Sequence, residues 1–371
     1  MSHDQEQALG VFQYRDHFFL RVSEAHDHRR PLQVELHPGL HCDLYRCPHC
    51  YGHGQPPMPG RVLSVPEIAG MLDQVGDVNP LIVVSGITTE PLTHPDAAGI
   101  LREIRSRDLR LGLFTKGYRF DAACADAVLR QGTSECFVTF SVDAVERDDY
   151  NRLHGIPVRH VAPHGSARHG EDYFDVVLAN VRAFYEAKQR MGAAASHVQI
   201  RIALLLFEEN SSDAAVDQAV ATFTDTADIV RFAFPQTPND GVALANVPDA
   251  REQRLHQLAE RFKGHRKVRV LTNTAEPDRS RDFKHCHTQK FQVTIDKSGN
   301  VFPCPQVAVS NYAHLSVGNV RTASLSEILD SPQRRRLFDC RIDEDMKCRI
   351  CDRKDEAVNA ALEKLRLGLR P

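Results

Sequence analysis

No run of apolar residues in the chain approaches the roughly 18 needed to cross a bilayer, so no membrane span is expected. A basic surplus is missing as well. Lys and Arg number 46 against 49 Asp and Glu, a net charge of −3, with an isoelectric point near 6.7. That balance argues against a general nucleic-acid binder, which carries a strong basic footprint. The opening Met-Ser-His-Asp-Gln-Glu-Gln lacks the basic and then apolar halves of a signal peptide, so cytoplasmic residence is the expectation. Internal repeats and long low-complexity tracts are also missing. What remains is a globular composition: 371 residues, 42% hydrophobic and 26% charged, enough for two or three domains with real cores.

The ten cysteines are unevenly spread. Cys42, Cys47 and Cys50 form one group, and Cys286, Cys304, Cys340, Cys348 and Cys351 another; Cys124 and Cys136 stand apart and read as core. A reducing cytosol disfavours disulfides, so clustered thiols point to soft-metal sites.

From about residue 31 to 235 short β-rich runs alternate with helical stretches, as in a parallel α/β sheet. Strands are expected at Leu32–His37, Leu81–Ser85, Arg110–Thr115, Cys136–Val142, Val198–Leu206 and Ile229–Phe234. Between them, Val65–Val75 and Asp175–Gln189 each gather apolar side chains on one helical face. Six such units fall short of the eight of a closed barrel, which implies a partial (β/α)6 barrel of the TIM type, open on one side. After Phe234 the pattern changes to a Pro/Asn/Gly-rich connector and a polar helix around Asp249–Phe262. Phe291–Asp296 and Val301–Cys304 then flank a turn with Gly299, a hairpin signal. A helix near Leu325–Leu337, a cysteine-rich loop and a helix near Glu356–Leu367 follow.

The motif His41-Cys42-Asp-Leu-Tyr-Arg-Cys47-Pro-His-Cys50-Tyr51 directly follows the first expected strand, on the end of a parallel sheet where chemistry is usually placed. Three thiolates on one loop can hold three irons of a [4Fe–4S] cluster and leave the fourth open; an open position marks catalysis more than structural support. The alternative is a structural zinc site with His41, His49 or His53 as the fourth ligand.

These residues resemble the radical S-adenosylmethionine (SAM) superfamily, with four residues rather than the usual three between the first two cysteines. In that family the amino and carboxylate groups of SAM chelate the open iron. The reduced cluster breaks the sulfonium bond, and a 5′-deoxyadenosyl radical abstracts a substrate hydrogen. Later segments match in order. Ser85-Gly-Ile-Thr-Thr-Glu90-Pro91-Leu92 is similar to the Gly-Gly-Glu element that binds the SAM amino group, Thr115-Lys-Gly117 to a Thr-Asn-Gly turn, and Ser141-Val-Asp143 to the Ser-x-Asp that contacts the SAM ribose and carboxylate. The resemblance implies that Cys42, Cys47 and Cys50 bind the cluster, and that His49, Glu90, Ser141, Asp143 and Arg152 contact SAM.

Cys286, Cys304, Cys348 and Cys351, arranged around the hairpin, can fully ligate a second, auxiliary [4Fe–4S] cluster. They resemble the "twitch" domain, the short form of the SPASM extension; a structural zinc ribbon is the alternative. The expected architecture is thus a lead segment at 1–30, a barrel at 31–240, a connecting helix and strand at 241–280, and a small cysteine-rich α+β twitch or SPASM-like domain at 281–371.

Cys340 reads as a packing residue, a spare ligand, or a catalytic thiol that donates a hydrogen atom to a product radical. His154, His160, His164 and His169 read as a long loop over the barrel mouth, with metal binding as the minor alternative. Only 41 residues precede Cys42, which favours a small polar metabolite, such as a sugar or aminocyclitol, over a peptide. The resemblance implies oxidation, epimerisation or decarboxylation with electrons from a flavodoxin or ferredoxin-type donor. A peptide- or protein-modifying maturase and a non-catalytic zinc scaffold are the other readings.

Overall fold

The computed structural model describes residues 30–44, 47, 49–50, 52, 55–56, 58–75, 79–156, 172–235, 250–272, 283–348 and 351–366. The lead segment, most of the connector, His53, and three of the four loop histidines (His160, His164 and His169) lie outside these residues.

Six strands and the helices between them follow the expected alternation: β1 Gln33–His37, α1 Val65–Leu72, β2 Leu81–Val84, α2 Ala97–Ser106, β3 Arg110–Thr115, α3 Ala122–Leu129, β4 Cys136–Ser141, α4 Arg147–Leu153, α5 Tyr173–Met191, β5 Val198–Leu205, α6 Asp213–Phe223 and β6 Ile229–Ala233. Short acceptor side chains start most of these helices by taking a free backbone N–H in the first turn. Asp96 accepts from Gly99, Asp121 from Cys124, Asp172 from Phe174 and Ser212 from Ala215. Ser64 and Glu67 cap α1 reciprocally, a capping box.

Neighbours β1 to β6 pair in parallel, each with the next in sequence. After α7 (Arg251–Arg261), the connecting strand, β7 Val268–Val270, joins β6 in parallel, so it extends the barrel sheet past the six strands expected of it. The hairpin is present as β8 Gln292–Asp296 and β9 Asn300–Phe302, turning at Gly299 with φ of 89°, a value that glycine adopts without strain. It does not form a separate sheet. β8 pairs in parallel with β1, from Gln33 opposite Gln292 to His37 opposite Asp296. β10 Gly318–Asn319 extends the edge, giving one ten-stranded sheet ordered β10-β9-β8-β1-β2-β3-β4-β5-β6-β7. The helix expected over Leu325–Leu337 is two, α8 Leu325–Leu329 and α9 Pro332–Leu337, because Pro332 disfavours a helical Ser331 and cannot donate to the preceding turn. Helix α10 is Arg353–Arg366. Among the described residues no helix is long and apolar enough to cross a membrane.

Side-chain alternation along the strands divides the interior. One face of each strand, including Val34, Leu36, Ile82, Val84, Leu113, Val138, Ile200 and Val230, joins the helices in the main core. The other face looks into the barrel. There, Leu81, Val83, Phe114 and Phe137 form one small cluster and Leu205, Ala233 and Leu271 another, and β1 contributes polar side chains. On β1, the Glu35 carboxylate accepts from Gln33 Nε2 at 3.0 Å and Ser85 Oγ at 2.5 Å, and lies 3.1 Å from His37 Nε2. A barrel interior this polar is built for a ligand rather than for packing.

Candidate active site and metal centres

The C-terminal ends of β1 to β6 surround a cavity of about 890 Å³. Cys42, Cys47 and Cys50 all line it, with His49, Glu90, Lys116, Ser141, Asp143 and Arg231. The cysteine loop is tied down by backbone bonds from Cys47 to Leu44 and from Cys50 to Cys47. Gly52 N–H donates to Cys50 Sγ at 3.3 Å, and Cys47 Sγ lies 3.2 Å from His154 Nδ1. Burial raises the Cys47 thiol to about 12, with Lys116 pulling the other way. Burial also raises Cys42, helped by the charges of Glu90 and Cys47. Thiols held protonated until a metal displaces the proton behave as cluster ligands do.

Glu90 is buried at the end of the loop after β2. Its carboxylate accepts from Thr115 Oγ1 and, at 3.0 Å, from Lys116 N. Its own N–H bonds His41 O at 2.8 Å, tying it to the cysteine loop. The approach is so close that a Cβ on Gly39 would stand 2.1 Å from Glu90 O. Burial raises the Glu90 carboxyl, while Thr115 and the Lys116 N–H counter it.

Asp143 follows β4 in the left-handed region, φ 64°. It accepts from Lys116 Nζ at 3.0 Å and Leu205 N at 3.0 Å, and lies 3.6 Å from His154 Nε2 and 3.8 Å from His49 Nε2. Burial alone would raise its pKa; the Lys116 charge, then His154 and His49, hold it at about 2. Burial likewise pushes His49 down to about 4 and His154 well below its ordinary value, so both rings are neutral at pH 7, each with one donor and one acceptor nitrogen. Among the described residues His49 Nδ1 is buried with no hydrogen-bond partner. A buried ring nitrogen of this kind beside a three-thiol cavity fits a bound metal–cofactor assembly better than a finished core. Cys47, His49 and His154 together offer three ligand atoms within 4.8 Å.

Of the residues expected to contact SAM, the structure brings His49, Glu90, Ser141 and Asp143 to one cavity. Arg152 goes elsewhere. Its guanidinium, half exposed, pairs with Asp149 and with Glu209 Oε1 at 2.7 Å, because α4 turns that face outward. Among the described residues the cations that line the cavity are Lys116 and Arg231, and neutral His154, expected in a loop over the barrel mouth, is instead buried at the end of α4 behind Cys47. Lys116 had a signal in the sequence, its place directly after a parallel strand.

Cys286, Cys304, Cys348 and Cys351 line a second, small cavity of about 20 Å³ with Thr288 and Asp355. Burial raises Cys304 and, to a lesser degree, Cys286; the other three thiols push Cys304 up further. Four thiols converging on one small cavity, Cys286 buried and the other three partly buried, fit a fully ligated cluster. Cys340 lines neither cavity. Its Sγ donates to Arg336 O at 3.3 Å at the end of α9. A thiol that quenches a product radical has to reach the substrate, and this one faces away from the site.

Residues 38–198 match the family model of the radical SAM superfamily, and residues 286–352 match that of SPASM, an iron–sulfur cluster-binding domain. No curated protein matches the chain. Among solved structures, Streptococcus suis SuiB bound to the precursor peptide SuiA is similar at 12% identity and a TM-score of 0.59, over 87% of this chain and 70% of that one. The same protein bound to S-adenosylmethionine aligns at 12% identity and 0.59, over 87% and 71%. Native anSMEcpe with bound AdoMet aligns at 14% identity and 0.56, over 91% and 98%. At these identities the likeness is one of fold.

Proposed function

Because the chain is a radical SAM enzyme with a SPASM-type iron–sulfur domain, we propose that it cleaves SAM reductively in the 890 Å³ cavity and abstracts a hydrogen atom from a small polar metabolite held there. The observation that carries this reading is the convergence of three thiols, Glu90 and the Lys116–Asp143 pair on one cavity at the strand ends. When bound, a three-thiol cluster with SAM on its open iron supplies a 5′-deoxyadenosyl radical upon one-electron reduction.

The rest is the work of the protein. Glu90, fixed by Thr115 and the Lys116 N–H, is an acceptor for the SAM ammonium. Asp143 and Ser141 offer acceptors and a hydroxyl for ribose and carboxylate, and Lys116 keeps Asp143 ionised. His49 presents its ring and an unpaired nitrogen beside Phe207, with ring centroids 5.1 Å apart. The enclosing walls exclude water that would quench a carbon radical. The cavity is at the large end of the ligand-pocket range of about 300–1,000 Å³, so a cofactor and a small substrate fill it. The reductant is a one-electron donor of the flavodoxin or ferredoxin type, and the SPASM-type site is a candidate acceptor for the electron left on a substrate radical. A peptide substrate is the second reading, favoured by the fold shared with a protein solved on its precursor peptide.

Anaerobic reconstitution followed by dithionite and SAM tests the reaction. 5′-Deoxyadenosine forms with the wild type and is abolished in Cys47→Ala; unchanged turnover in that variant overturns the assignment. Deuterium transfer from labelled sugars, aminocyclitols or peptides into 5′-deoxyadenosine separates the two substrate readings.

A further inference from the structure

The charged groups in the wall of the large cavity are nearly all spoken for. Asp43 pairs with Arg119 at 2.9 Å and with His41 at 2.6 Å, Asp143 with Lys116 at 3.0 Å, and Glu90 accepts from Thr115 and the Lys116 N–H. Arg231 is the exception. It lines the cavity from β6, partly buried, and among the described residues its guanidinium makes no hydrogen bond and no ion pair. The two carboxylates whose charge reaches it, Asp352 and Asp143, act on it without contact, while burial works against its charge. A partly buried guanidinium with no partner among the described residues is costly, and its five donors form a planar fork suited to carboxylate or phosphate oxygens.

Register sets this group apart from Ser141, while the Asp143 charge still reaches it. Ser141 on β4 is opposite Ala203 on β5, which is opposite Arg231 on β6. Arg231 is thus two strands, roughly 10 Å, from Ser141, and the intervening side chain is only a methyl. Among the thiols, Cys47 feels chiefly burial, Lys116 and Cys50, and Cys42 chiefly burial and Glu90. A SAM carboxylate that chelates the open iron stays beside those thiols. Behind Arg231, Arg201 stacks on Phe137 at 3.9 Å; burial and the Arg231 charge weigh against its own charge and Glu135 supports it, so this wall of the barrel brings two guanidinium groups near one another.

We propose that Arg231 anchors the substrate through a carboxylate or phosphate group, so that the hydrogen donor is a small anionic metabolite. This rests on the radical SAM reading above and specifies its substrate class.

The test uses anaerobically reconstituted, SAM-loaded enzyme, titrated calorimetrically with inorganic phosphate and, separately, with succinate, at ionic strength fixed by chloride. The wild type is expected to bind at least one of them. Arg231→Gln should weaken that binding at least tenfold, Arg231→Lys less, and any loss of SAM affinity in Arg231→Gln should be smaller than the loss of anion affinity. Phosphate preference indicates a phosphate ester, and succinate preference a carboxylate. Absence of binding above the chloride control, full binding by Arg231→Gln, or an equal loss of SAM affinity overturns the proposal. Should the variants fail to fold, phenylglyoxal labelling of the wild type decides: Arg231 is protected by phosphate or succinate if the proposal holds and unprotected if it does not. A wild type that binds the anion yet makes no 5′-deoxyadenosine defeats the reaction and leaves the anion site standing.

Discussion

At the scale of single residues, the site depends on charges placed where water cannot reach them. Asp143 is buried and pairs at 3.0 Å with the partly buried Lys116, and removing Lys116 leaves the buried carboxylate uncompensated. Lys116→Met should cost on the order of 3–5 kcal/mol in urea unfolding. Asn tolerates the left-handed backbone that Asp143 occupies, so adding Asp143→Asn should recover part of that loss; additive losses would mean the pair is not coupled. His49 gives a pH signature. Its pKa is about 4 in the folded chain against an ordinary 6.5, so between these values the unfolded chain binds a proton that the folded chain refuses. Stability therefore falls as pH drops from 6.5 towards 4, by at most about 1.4 kcal/mol per pH unit from this group. In His49→Gln that part of the slope should vanish, read from urea midpoints at pH 7, 6 and 5. An unchanged slope would place the effect elsewhere, His154 being the other buried imidazole.

Among the elements, the joint between the hairpin and the barrel carries the most concentrated bonding. Arg321, just after β10, donates to Glu67 Oε1 at 2.9 Å, Ser298 O at 2.7 Å, and the carbonyls of Arg61 and Val62 at 3.0 and 2.9 Å. It thereby fastens the β8–β9 turn to the capped start of α1. Arg321→Ala should cost about 1–3 kcal/mol in chemical denaturation, and a loss below 0.5 kcal/mol would show that water replaces the guanidinium freely. Such long-range fastening is also what the sequence conveys least. The strands of the barrel are legible because apolar alternation marks each one locally, and Arg110–Thr115 agrees at both ends. The continuity of β8 with β1 is not legible, since it joins residues some 259 apart in the chain, Gln33 with Gln292. The same limit divides the site. Cys42, Cys47, Cys50 and Glu90 stand next to strand ends and announce themselves by spacing. Arg152 matched a sequence position, yet its side chain follows the outward face of α4 to Glu209. Arg231 becomes visible only once three strands are in register.

For the whole molecule, topology sets the two thiol sites at opposite ends of one sheet. Cys42, Cys47 and Cys50 follow β1 at its C-terminal end. Cys286 precedes β8, which runs parallel to β1, and Cys304 follows the antiparallel β9, so both lie at the end where β1 begins. The barrel interior, with Arg231 between Asp143 of one site and Asp352 of the other, is the ground between them. The sites differ in what their loss should do. The four-thiol site is closed and packed in its own apolar cluster with Phe302, Val307, Ile342 and Met346, separate from the core that supports the cysteine loop. Cys351→Ala should therefore lower iron from about eight to about four per chain, loosen the region around Met346, and leave a cluster whose spectrum still responds to SAM. Cys47→Ala should also halve the iron, but the remaining cluster should ignore SAM, since no iron of a four-thiol site is open. Iron content alone cannot separate the variants; electron paramagnetic resonance of each reduced protein with and without SAM does. If the Cys351→Ala spectrum were silent towards SAM, or its iron fell to nothing, the two centres would be one coupled structure, and β1, held between β2 and β8, would be the element that transmits the failure.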